Sequence, residues 1–589
     1  MPKVLSVFER AREYESEGFY VFDKHKKVMM CKYCNVTVDW KRKDSCEKHC
    51  KQRSSHKVNK DNGGNGVKRQ ITIVENVSLN KKLKAEKTKL AKDTVRAFVQ
   101  ANIPLEKLDH PGLRSWMNEY IPGSGDLPHS STLRSTYLES LKVEEEEKIK
   151  ELVKGQDIVL LCDETTNKKG QCVFVVLFKI MSASSEQKLL VAGTKVLMNA
   201  NSTEFSRAIV DILVKFDVKY DNVISFTCDS AKYMTKCADL LRVLVRYKLL
   251  HIQCWAHKLC LVGNIWVAQL SELNECVMKT KMFFLNSRKR KHHYLQFLTV
   301  SSIHPKLFPS PVLTRWNSWF RAVEYIDTYL PHLLEYFKTE DAETSGSSTE
   351  YYMQMSMDKV AVLQCEARFV VEHCKSTVEL LEILEGSSYP FAHRLLGKLY
   401  DLKTSFKLAS DNTFHPETTQ MLNSQLCLKS AVRATLVSTG QKSLLKLSSL
   451  IASDPAKDFV ECMGALFDPR EIACKGLEVD AVELQNKVEK LPFLSQVPFR
   501  LVLEGYTQTK QAVLKSISKN VDILTILLSL KSDFPEYATN AVKCLWIPVS
   551  NVDSERAFSM YSNIMSDKRT SLRADNIEVM LGMCFGASH

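Results

Sequence analysis

Residues 158–167 have the sequence IVLLCDETTN and residues 223–234 have the sequence VISFTCDSAKYM, and these two stretches decide the fold. Each begins with a short apolar run rich in β-branched residues, which is typical of a parallel strand buried on both faces. The first run ends at Asp163 and the second at Asp229. We therefore expect two neighbouring strands that each place a carboxylate at the same edge of a sheet.

A third acidic residue lies far downstream, in a stretch with the pattern of a helix. Residues 551–561 have the sequence NVDSERAFSMY, in which Asn551 or Ser554 can cap a helix. Glu555 falls on the polar stripe of this helix, and the apolar residues around it fall on the face that packs against the sheet.

The three acidic residues together predict a metal site. A lone aspartate after a strand more often only caps the next helix or turn, so the prediction rests on the whole set. Mg²⁺ and Mn²⁺ prefer oxygen ligands and keep positions open for phosphate and water. We expect Asp163, Asp229 and Glu555 to bind two such cations and to be the catalytic residues.

The two aspartates belong to a segment that alternates between strand and helix patterns. Between residues 155 and 262, three apolar stretches precede strand-helix units, which predicts a mixed sheet covered by helices. Glu555 follows 326 residues after Asp229. The intervening block must therefore interrupt the α/β domain.

That block, residues 266–535, follows helical periodicity almost throughout. One of its clearest signals is Ser376 with Glu379, a capping box that predicts the start of a helix. Gly386 predicts the end of the same helix. We expect an all-helical insertion domain.

The composition is that of an ordinary globular protein with several domains, 589 residues long, 44% hydrophobic and 25% charged. The formal net charge is +13, and residues 1–100 carry nearly all of it, with 24 Lys+Arg against 12 Asp+Glu. A basic head on a nearly neutral body indicates a polyanionic partner such as double-stranded DNA, because neutralising phosphates releases counterions. No apolar run approaches the roughly 18 residues that span a bilayer. We expect no membrane partner and reduced thiols.

The basic head contains a metal-ligand pattern. Cys31 and Cys34 form a CxxC pair, and His49 and His56 follow, which gives C-x2-C…H-x6-H. Two thiolates and two imidazoles suit tetrahedral Zn²⁺. Because the gap between the histidines is longer than usual, one of them could be replaced as a ligand by Cys46 or Cys50.

A basic cluster lies between the cysteine pair and the histidines. Its residues Lys41, Arg42 and Lys43 open a Lys/Arg-rich stretch, 41–53, that we expect to contact DNA phosphates and groove edges. This cluster and the RKRK run at 288–291 are also compatible with nuclear import, and we expect a protein of the nucleus. Such clusters are as often solvated surface.

These observations divide the chain into six segments. They are a zinc finger (1–58), a Gly/Asn-rich linker (59–82), a helical DNA-binding and dimerisation domain (83–150), the first part of the catalytic domain (151–265), the helical insertion (266–535), and the last part of the catalytic domain with a dimerisation segment (536–589).

Several motifs, in order along the chain, resemble those of the hAT superfamily of DNA transposases. They are CDETTN, TCDSAKYM, CWAHKLCL (254–261), TRWNSWF (314–320), DSERAFS (553–559) and KRTSLRADNIEVMLGM (568–583). The resemblance implies a multidomain α+β protein with a ribonuclease-H-like (DDE) core, interrupted by an all-helical insertion. It also implies a C-terminal dimerisation segment, hence a homodimer or higher homo-oligomer. A BED-type finger at the front, which CKYC…H…H resembles, is common in this superfamily.

A narrower resemblance covers residues 101–138, ANIPLEKLDHPGLRSWMNEYIPGSGDLPHSSTLRSTYL, together with the finger. Both are similar to the CGG triplet repeat-binding proteins, a family of short DNA-binding proteins thought to descend from a hAT element. The chain thus resembles the transposase lineage from which such a fragment could derive.

The hAT resemblance implies a mechanism. The metals held by the three carboxylates promote in-line attack on a DNA phosphodiester, and Hermes-like members leave hairpins on the flanking DNA before strand transfer. It assigns Trp316 to stack on a flipped-out base and Arg315 to a nearby phosphate. A core tryptophan is the alternative, because Trp316 and Trp319 at i,i+3 could both pack against helices.

The resemblance also places Cys254 and His257 near the active site, where we expect hydrogen bonds close to the scissile DNA. A satisfied core histidine is the alternative for His257. The function implied is a cut-and-paste transposase that binds terminal inverted repeats and target DNA. The alternative is a domesticated DNA-binding regulator that keeps the catalytic body only as a scaffold.

Overall fold

The computed structural model describes residues 5–14, 18–24, 26–34, 36–51, 73–122, 124, 127–245, 249–312, 316–339, 347–386, 389–424, 429–516, 522–565 and 572–588. The chain forms two compact units, Met1–Glu86 and Lys87–His589. It is a multidomain, mixed α/β protein that is mostly helical, as the sequence predicts in outline.

The first unit contains an antiparallel hairpin between two short helices. Its elements are α1 (Val7–Glu13), β1 (Tyr20–Asp23), β2 (Val28–Cys31) and α2 (Lys43–Lys51). Its buried core consists of a few side chains, among them Tyr20, Met29 and Cys46. So small a core contributes little stability by itself, which is the usual situation of a domain that needs a metal to fold.

Helix α3 (Ile73–Gln100) begins inside the stretch expected to be a linker, 59–82. The reason lies in the composition, because residues 73–100 contain no glycine or proline and are rich in Lys, which favours helix, as do their Leu and Ala residues. The Gly/Asn-rich part of the expected linker, 61–66, lies outside the described residues.

The helices that follow α3 lead into the sheet. They are a 3-10 turn (Leu105–Asp109), α4 (Pro111–Tyr120), α5 (Ser130–Thr132), a π-helical segment (Leu133–Leu138) and α6 (Glu139–Val153).

The sheet has five strands in the order β5-β4-β3-β6-β7. They are β3 (Ile158–Thr166), β4 (Cys172–Ile180), β5 (Lys188–Leu197), β6 (Val223–Cys228) and β7 (Leu250–Gln253). The first three are antiparallel neighbours, whereas β6 and β7 run parallel to β3. The crossover helices of the parallel part are α7 (Ser202–Lys215) and α8 (Lys232–Leu244). The predicted mixed sheet is confirmed.

The described residues that follow β7 are mostly helical. The helices of the block are α9 (Trp255–Gln269), α10 (Ser271–Phe284), α11 (Arg288–Val300), α12 (Trp316–Thr339), α13 (Ser347–Met353), α14 (Met357–Glu385), α15 (Ala392–Ser410), α16 (Pro416–Ser424), α17 (Lys429–Ala452), α18 (Lys457–Phe467), α19 (Pro469–Lys475), α20 (Ala481–Val488), α21 (Phe499–Ser516) and α22 (Ile523–Ser529). After them come α23 (Pro535–Leu545), α24 (Val552–Ile564) and α25 (Ala574–Ser588). None of the helices within the described residues is long and apolar enough to cross a membrane.

The predicted helix start at Ser376 is wrong. Ser376 lies inside α14, a 29-residue helix that Ser356 caps through its side chain, which accepts the Lys359 N–H. Residues on both sides of Ser376 are buried against neighbouring helices. This packing keeps α14 continuous although Ser376 and Glu379 have the pattern of a helix start. The predicted end at Gly386 is confirmed.

The last two helices return to the sheet. Helix α24 packs on β3 and β4, and α25 packs on β5. The helical block is therefore inserted in the sequence between the strands of the sheet and α24, the helix that covers one face of that sheet. The opposite face is covered by α7 and α8.

Candidate functional site

The two aspartates lie at neighbouring positions on β3 and β6. The last paired residues of these parallel strands are Leu161 and Thr227, and each aspartate is two residues further along. Asp163 is buried within β3, and its Oδ1 accepts the Glu164 N–H at 3.0 Å. Asp229 follows β6 directly, and its Oδ1 accepts the Ala231 N–H at 3.1 Å.

Asn551 anchors the helix that carries Glu555 to strand β3. This residue precedes α24 as predicted, but its side chain does not cap the helix. Its Nδ2 instead donates to the carbonyl oxygen of Cys162 at 2.8 Å, and its Oδ1 accepts the Ser554 hydroxyl at 2.9 Å. Because Cys162 immediately precedes Asp163, this bond holds the first turn of α24 beside the first aspartate.

Cys254 ties the same helix to the second aspartate. Its Sγ accepts the backbone N–H of Asn551 at 3.1 Å, and its own N–H donates to the carbonyl oxygen of Cys228 at 2.8 Å. Cys228 immediately precedes Asp229. The expectation that Cys254 contacts DNA must be corrected, because this residue is completely buried and its thiol holds the protein backbone.

His257 lies one helical turn after Cys254 and faces the carboxylates. Its Nε2 is 3.6 Å from Oε1 of Glu555, and its side chain is 39% exposed. The adjacent Cys254 side chain raises the pKa of His257 to about 10, with further contributions from Asp163 and Glu555, against the effect of burial. A raised pKa favours the cationic form of the imidazole, whose charge would partly offset that of the nearby carboxylates.

The aspartates have perturbed pKa values. Burial, with smaller contributions from the acidic neighbours Glu164, Asp229 and Glu555, raises the pKa of Asp163 to about 8. Burial also raises the pKa of Asp229. Carboxylates that share one buried site disfavour each other's charge, so a cation bound among them is strongly favoured.

Sequence reasoning missed a fourth acidic residue, Glu164. One of its carboxylate oxygens accepts the Tyr233 hydroxyl, and burial raises the pKa of Glu164. The two residues lie on the face of the sheet covered by α7 and α8, because side chains alternate along β3. The only sequence signal was its adjacency to Asp163.

The expected DNA-stacking segment lies at the start of α12. The helix begins at Trp316, whose side chain lies outside the described residues, as does Arg315. Trp319 is buried, and its Nε1 donates to Oδ1 of Asn274 at 3.0 Å. Trp319 is therefore a packing residue.

The expected zinc ligands converge in the first unit. Ligand atoms of Cys31, Cys34 and His49 lie within 4.8 Å of one another, with Cys34 Sγ 3.2 Å from Nε2 of His49. This set of soft and borderline donors suits Zn²⁺. His56 lies outside the described residues. Among the residues that are described, the three carboxylates do not form so tight a group.

The two alternative zinc ligands make other contacts. The Cys46 thiol donates to the carbonyl oxygen of Asp39 at 3.7 Å, and the Cys50 thiol donates to the Tyr20 hydroxyl at 3.2 Å. The basic residues Lys41, Arg42 and Lys43 are exposed around the start of α2.

Comparison with protein families gives three matches. Residues 1–61 match the CGGBP1 N-terminal domain, residues 81–140 match the CGGBP1 helical domain, and residues 503–584 match the hAT family C-terminal dimerisation region. The first two ranges lie in the basic head and the helices before the sheet, and the third includes Glu555.

The chain is also similar to two curated proteins. CGG triplet repeat-binding protein 1 of Mus musculus and that of Homo sapiens are each 32% identical to it over 111 residues. The alignment covers 66% of each relative and 19% of this chain. The chain thus combines matches to both CGGBP1 domains in its N-terminal part with a match to the hAT C-terminal dimerisation region.

Proposed function

We propose that this hAT-related chain is a cut-and-paste DNA transposase, with Asp163, Asp229 and Glu555 as its catalytic carboxylates. The observation that carries the proposal is the hydrogen-bond chain through Asn551 and Cys254. It connects the helix of Glu555 to the residues that immediately precede both aspartates, although the segments are hundreds of residues apart. The mixed sheet is followed by a long helical block before α24 returns to it. This arrangement supports a ribonuclease-H-like core that is interrupted in sequence by an insertion.

The donor set fits divalent cations that prefer oxygen. Buried carboxylates whose pKa values are raised would be costly as bare anions, and a cation offsets that cost. Asp163, Asp229 and Glu555 would hold Mg²⁺ or Mn²⁺. Such ions, when bound, activate the attacking oxygen and stabilise the leaving oxygen at a DNA phosphodiester.

The protein's own groups have separate tasks around that reaction. His257 balances the negative charge of the carboxylates and would meet DNA phosphate from its exposed edge. Asn551 and Cys254 keep the three carboxylates in register. Trp316 and Arg315 would stabilise the bent strand that hairpin formation requires, by stacking and by phosphate contact.

DNA binding is assigned to the N-terminal domains. The finger would hold Zn²⁺ through Cys31, Cys34 and His49, with His56 as the fourth ligand, and present Lys41, Arg42 and Lys43 to phosphates. The relatives are named for binding CGG triplet repeats, and we extend DNA binding to the terminal repeats of this chain's own element. The protein would act in the nucleus as a homodimer or higher oligomer through its C-terminal region.

A second function has one observation in its favour. The curated relatives match only 19% of this chain, in its N-terminal part, so a DNA-binding role does not need the catalytic body. In that case the chain would be a domesticated regulator, with the sheet and insertion as a dimerisation scaffold.

A cleavage assay with matched variants separates the two. The substrate is DNA with the ends of the element that encodes the chain, supplied with Mg²⁺ or Mn²⁺. Asp163→Asn, Asp229→Asn and Glu555→Gln should each lower cleavage by about a thousandfold or more while DNA binding is retained. Asp221→Asn, at the exposed opposite end of β6, is the control and should cut normally. Wild-type protein that binds these ends but never cuts them would support the regulator instead.

A further inference from the structure

Helix α14 ends against the first turn of α24, the helix that carries Glu555. The last carbonyl groups of a helix have no partner within it and carry partial negative charge. Here the carbonyl oxygen of Leu384 accepts the Ser550 hydroxyl at 2.7 Å. The carbonyl oxygen of Glu385 accepts a hydrogen bond from the guanidinium of Arg556, the residue directly after Glu555.

Arg556 is held in place from both sides. Its Nη1 contacts Oδ1 of Asp553 at 2.6 Å, within the same turn of α24, while its Nη2 donates to Glu385. A planar guanidinium with two fixed acceptors has little freedom to move. The end of α14 and the start of α24 are therefore connected through a rigid group.

The side chain of Glu385 points to a different partner. Its Oε1 accepts Nδ2 of Asn317 at 3.2 Å, and Asn317 is the second residue of α12, directly after Trp316. Glu385 thus contacts the neighbour of Glu555 through its backbone and the neighbour of Trp316 through its side chain. Both contacts are made by one residue at a helix terminus.

A second contact joins the same two helices further from the site. Arg321 Nη2 lies 2.9 Å from Oε1 of Glu382. The Arg321 side chain is 59% exposed and the Glu382 side chain 50% exposed. The pair is exposed, as is the Asn317–Glu385 hydrogen bond. This pair supplies a matched control, because it joins α12 to α14 without touching α24.

We infer that Glu385 is a positioning residue that couples the start of α12, where Trp316 lies, to the helix that carries Glu555. A shift at one of these segments is transmitted to the other through Glu385. Its part in catalysis rests on the proposed function, since only a DNA-cutting enzyme needs a stacking segment held in register with its carboxylates. The coupling itself is a property of the protein without DNA.

The test reverses the hydrogen bond in the full-length protein. Asn317→Asp places a second carboxylate opposite Glu385 and should break the contact by repulsion. Combining it with Glu385→Gln restores a donor and an acceptor with their roles exchanged. Arg321→Ala is the control. Amide hydrogen exchange of residues 552–558 is measured without DNA or metal, and the ratio of hairpin to nicked product is measured on element-end DNA.

The single variant Asn317→Asp should accelerate exchange at 552–558 by roughly fivefold or more, since a hydrogen bond to a charged group is lost from the coupled element. It should also lower the hairpin-to-nick ratio. The double variant should restore both values, and Arg321→Ala should leave both unchanged. Unchanged exchange at 552–558 in Asn317→Asp, or an equal effect of Arg321→Ala, would overturn the coupling. If wild-type protein cuts no DNA, the proposed function fails, and the exchange data alone decide the coupling.

Discussion

Asn551 and Cys162 are joined by a hydrogen bond of 2.8 Å from a side-chain amide to a backbone carbonyl oxygen, although 389 residues separate them in sequence. Both groups are buried, so the carbonyl has no water to replace this donor. The bond lies next to Asp163 on one side and next to the turn of Glu555 on the other. This one hydrogen bond therefore helps to fix the position of Glu555 relative to Asp163.

Asn551→Ala should therefore destabilise the protein and slow cleavage together. Leaving the Cys162 carbonyl unsatisfied should cost about 1–3 kcal/mol of unfolding free energy. Chemical denaturation measures that cost, and single-turnover cleavage at saturating metal measures the catalytic loss. Asn540→Ala is the control, since Asn540 is partly exposed and its side chain donates to the Glu536 carbonyl oxygen within α23. Cleavage at the wild-type rate in Asn551→Ala, despite lower stability, would show that Asn551 only packs the core.

Trp316 and Trp319 form a matched pair of one residue type on one helix. Trp316→Ala should permit nicking but lower hairpin yield by about one to two orders of magnitude, because a base stack is worth roughly 1–3 kcal/mol. Trp319→Ala should instead remove about 3–5 kcal/mol of stability, since Trp319 is buried and bonded to Asn274. Melting temperature, nicking and hairpin yield are measured on each preparation. A large loss of melting temperature in Trp316→Ala, with both products falling together, would make Trp316 a packing residue.

Removing His56 and removing Cys50 test two of the three candidates for the fourth zinc ligand. His56→Ala should lower the zinc content of the purified protein, and Cys31→Ser should unfold the finger, because the small core depends on the metal. Cys50→Ser should retain zinc, since its thiol contacts the Tyr20 hydroxyl. Metal analysis and salt-dependent DNA binding are the measurements. Zinc lost from Cys50→Ser but kept by His56→Ala would reverse the assignment.

A buried ion pair joins α9, the first helix of the helical block, to the segment that follows α17. Lys258 Nζ lies 3.2 Å from Oδ2 of Asp454, and each side chain is 2% exposed. Asp454→Ala should cost about 3–5 kcal/mol, because it leaves the lysine uncompensated, whereas Lys258→Met with Asp454→Leu should be nearly neutral. Urea unfolding of the single and double variants gives both values. A double variant as unstable as the single one would mean that the pair is needed for the fold itself.

The sequence was sufficient to predict the strands that carry both aspartates. Their apolar runs are short and rich in β-branched residues, which favours strand over helix. The parallel pairing of β3 with β6 brings Asp163 and Asp229 to neighbouring positions. The helix of Glu555 was also predictable, because its polar and apolar residues separate at helical spacing. These are local patterns, which can be recognised in a single sequence.

What the sequence could not supply are contacts between distant segments. Asn551 or Ser554 was predicted to cap the helix; Asn551 occupies the cap position, but its side chain bonds to a strand residue 389 positions away. Cys254 was expected near DNA, but its thiol is buried in the same network. Ser376 carries a start signal that tertiary packing overrides within α14. Glu385 has no sequence signature at all, because its importance comes only from where its helix ends.

The split of the α/β domain has a consequence for synthesis of the chain. Asp229 leaves the ribosome 326 residues before Glu555, which corresponds to roughly 16–65 s at about 5–20 residues per second. During that interval the nascent protein already has its finger and two of the three proposed carboxylates. A growing chain can therefore fold its N-terminal domains before it can assemble the site proposed to cut DNA. A message truncated before codon 552 would encode a protein that lacks Glu555, and we expect it to compete with the full-length protein for the same DNA ends.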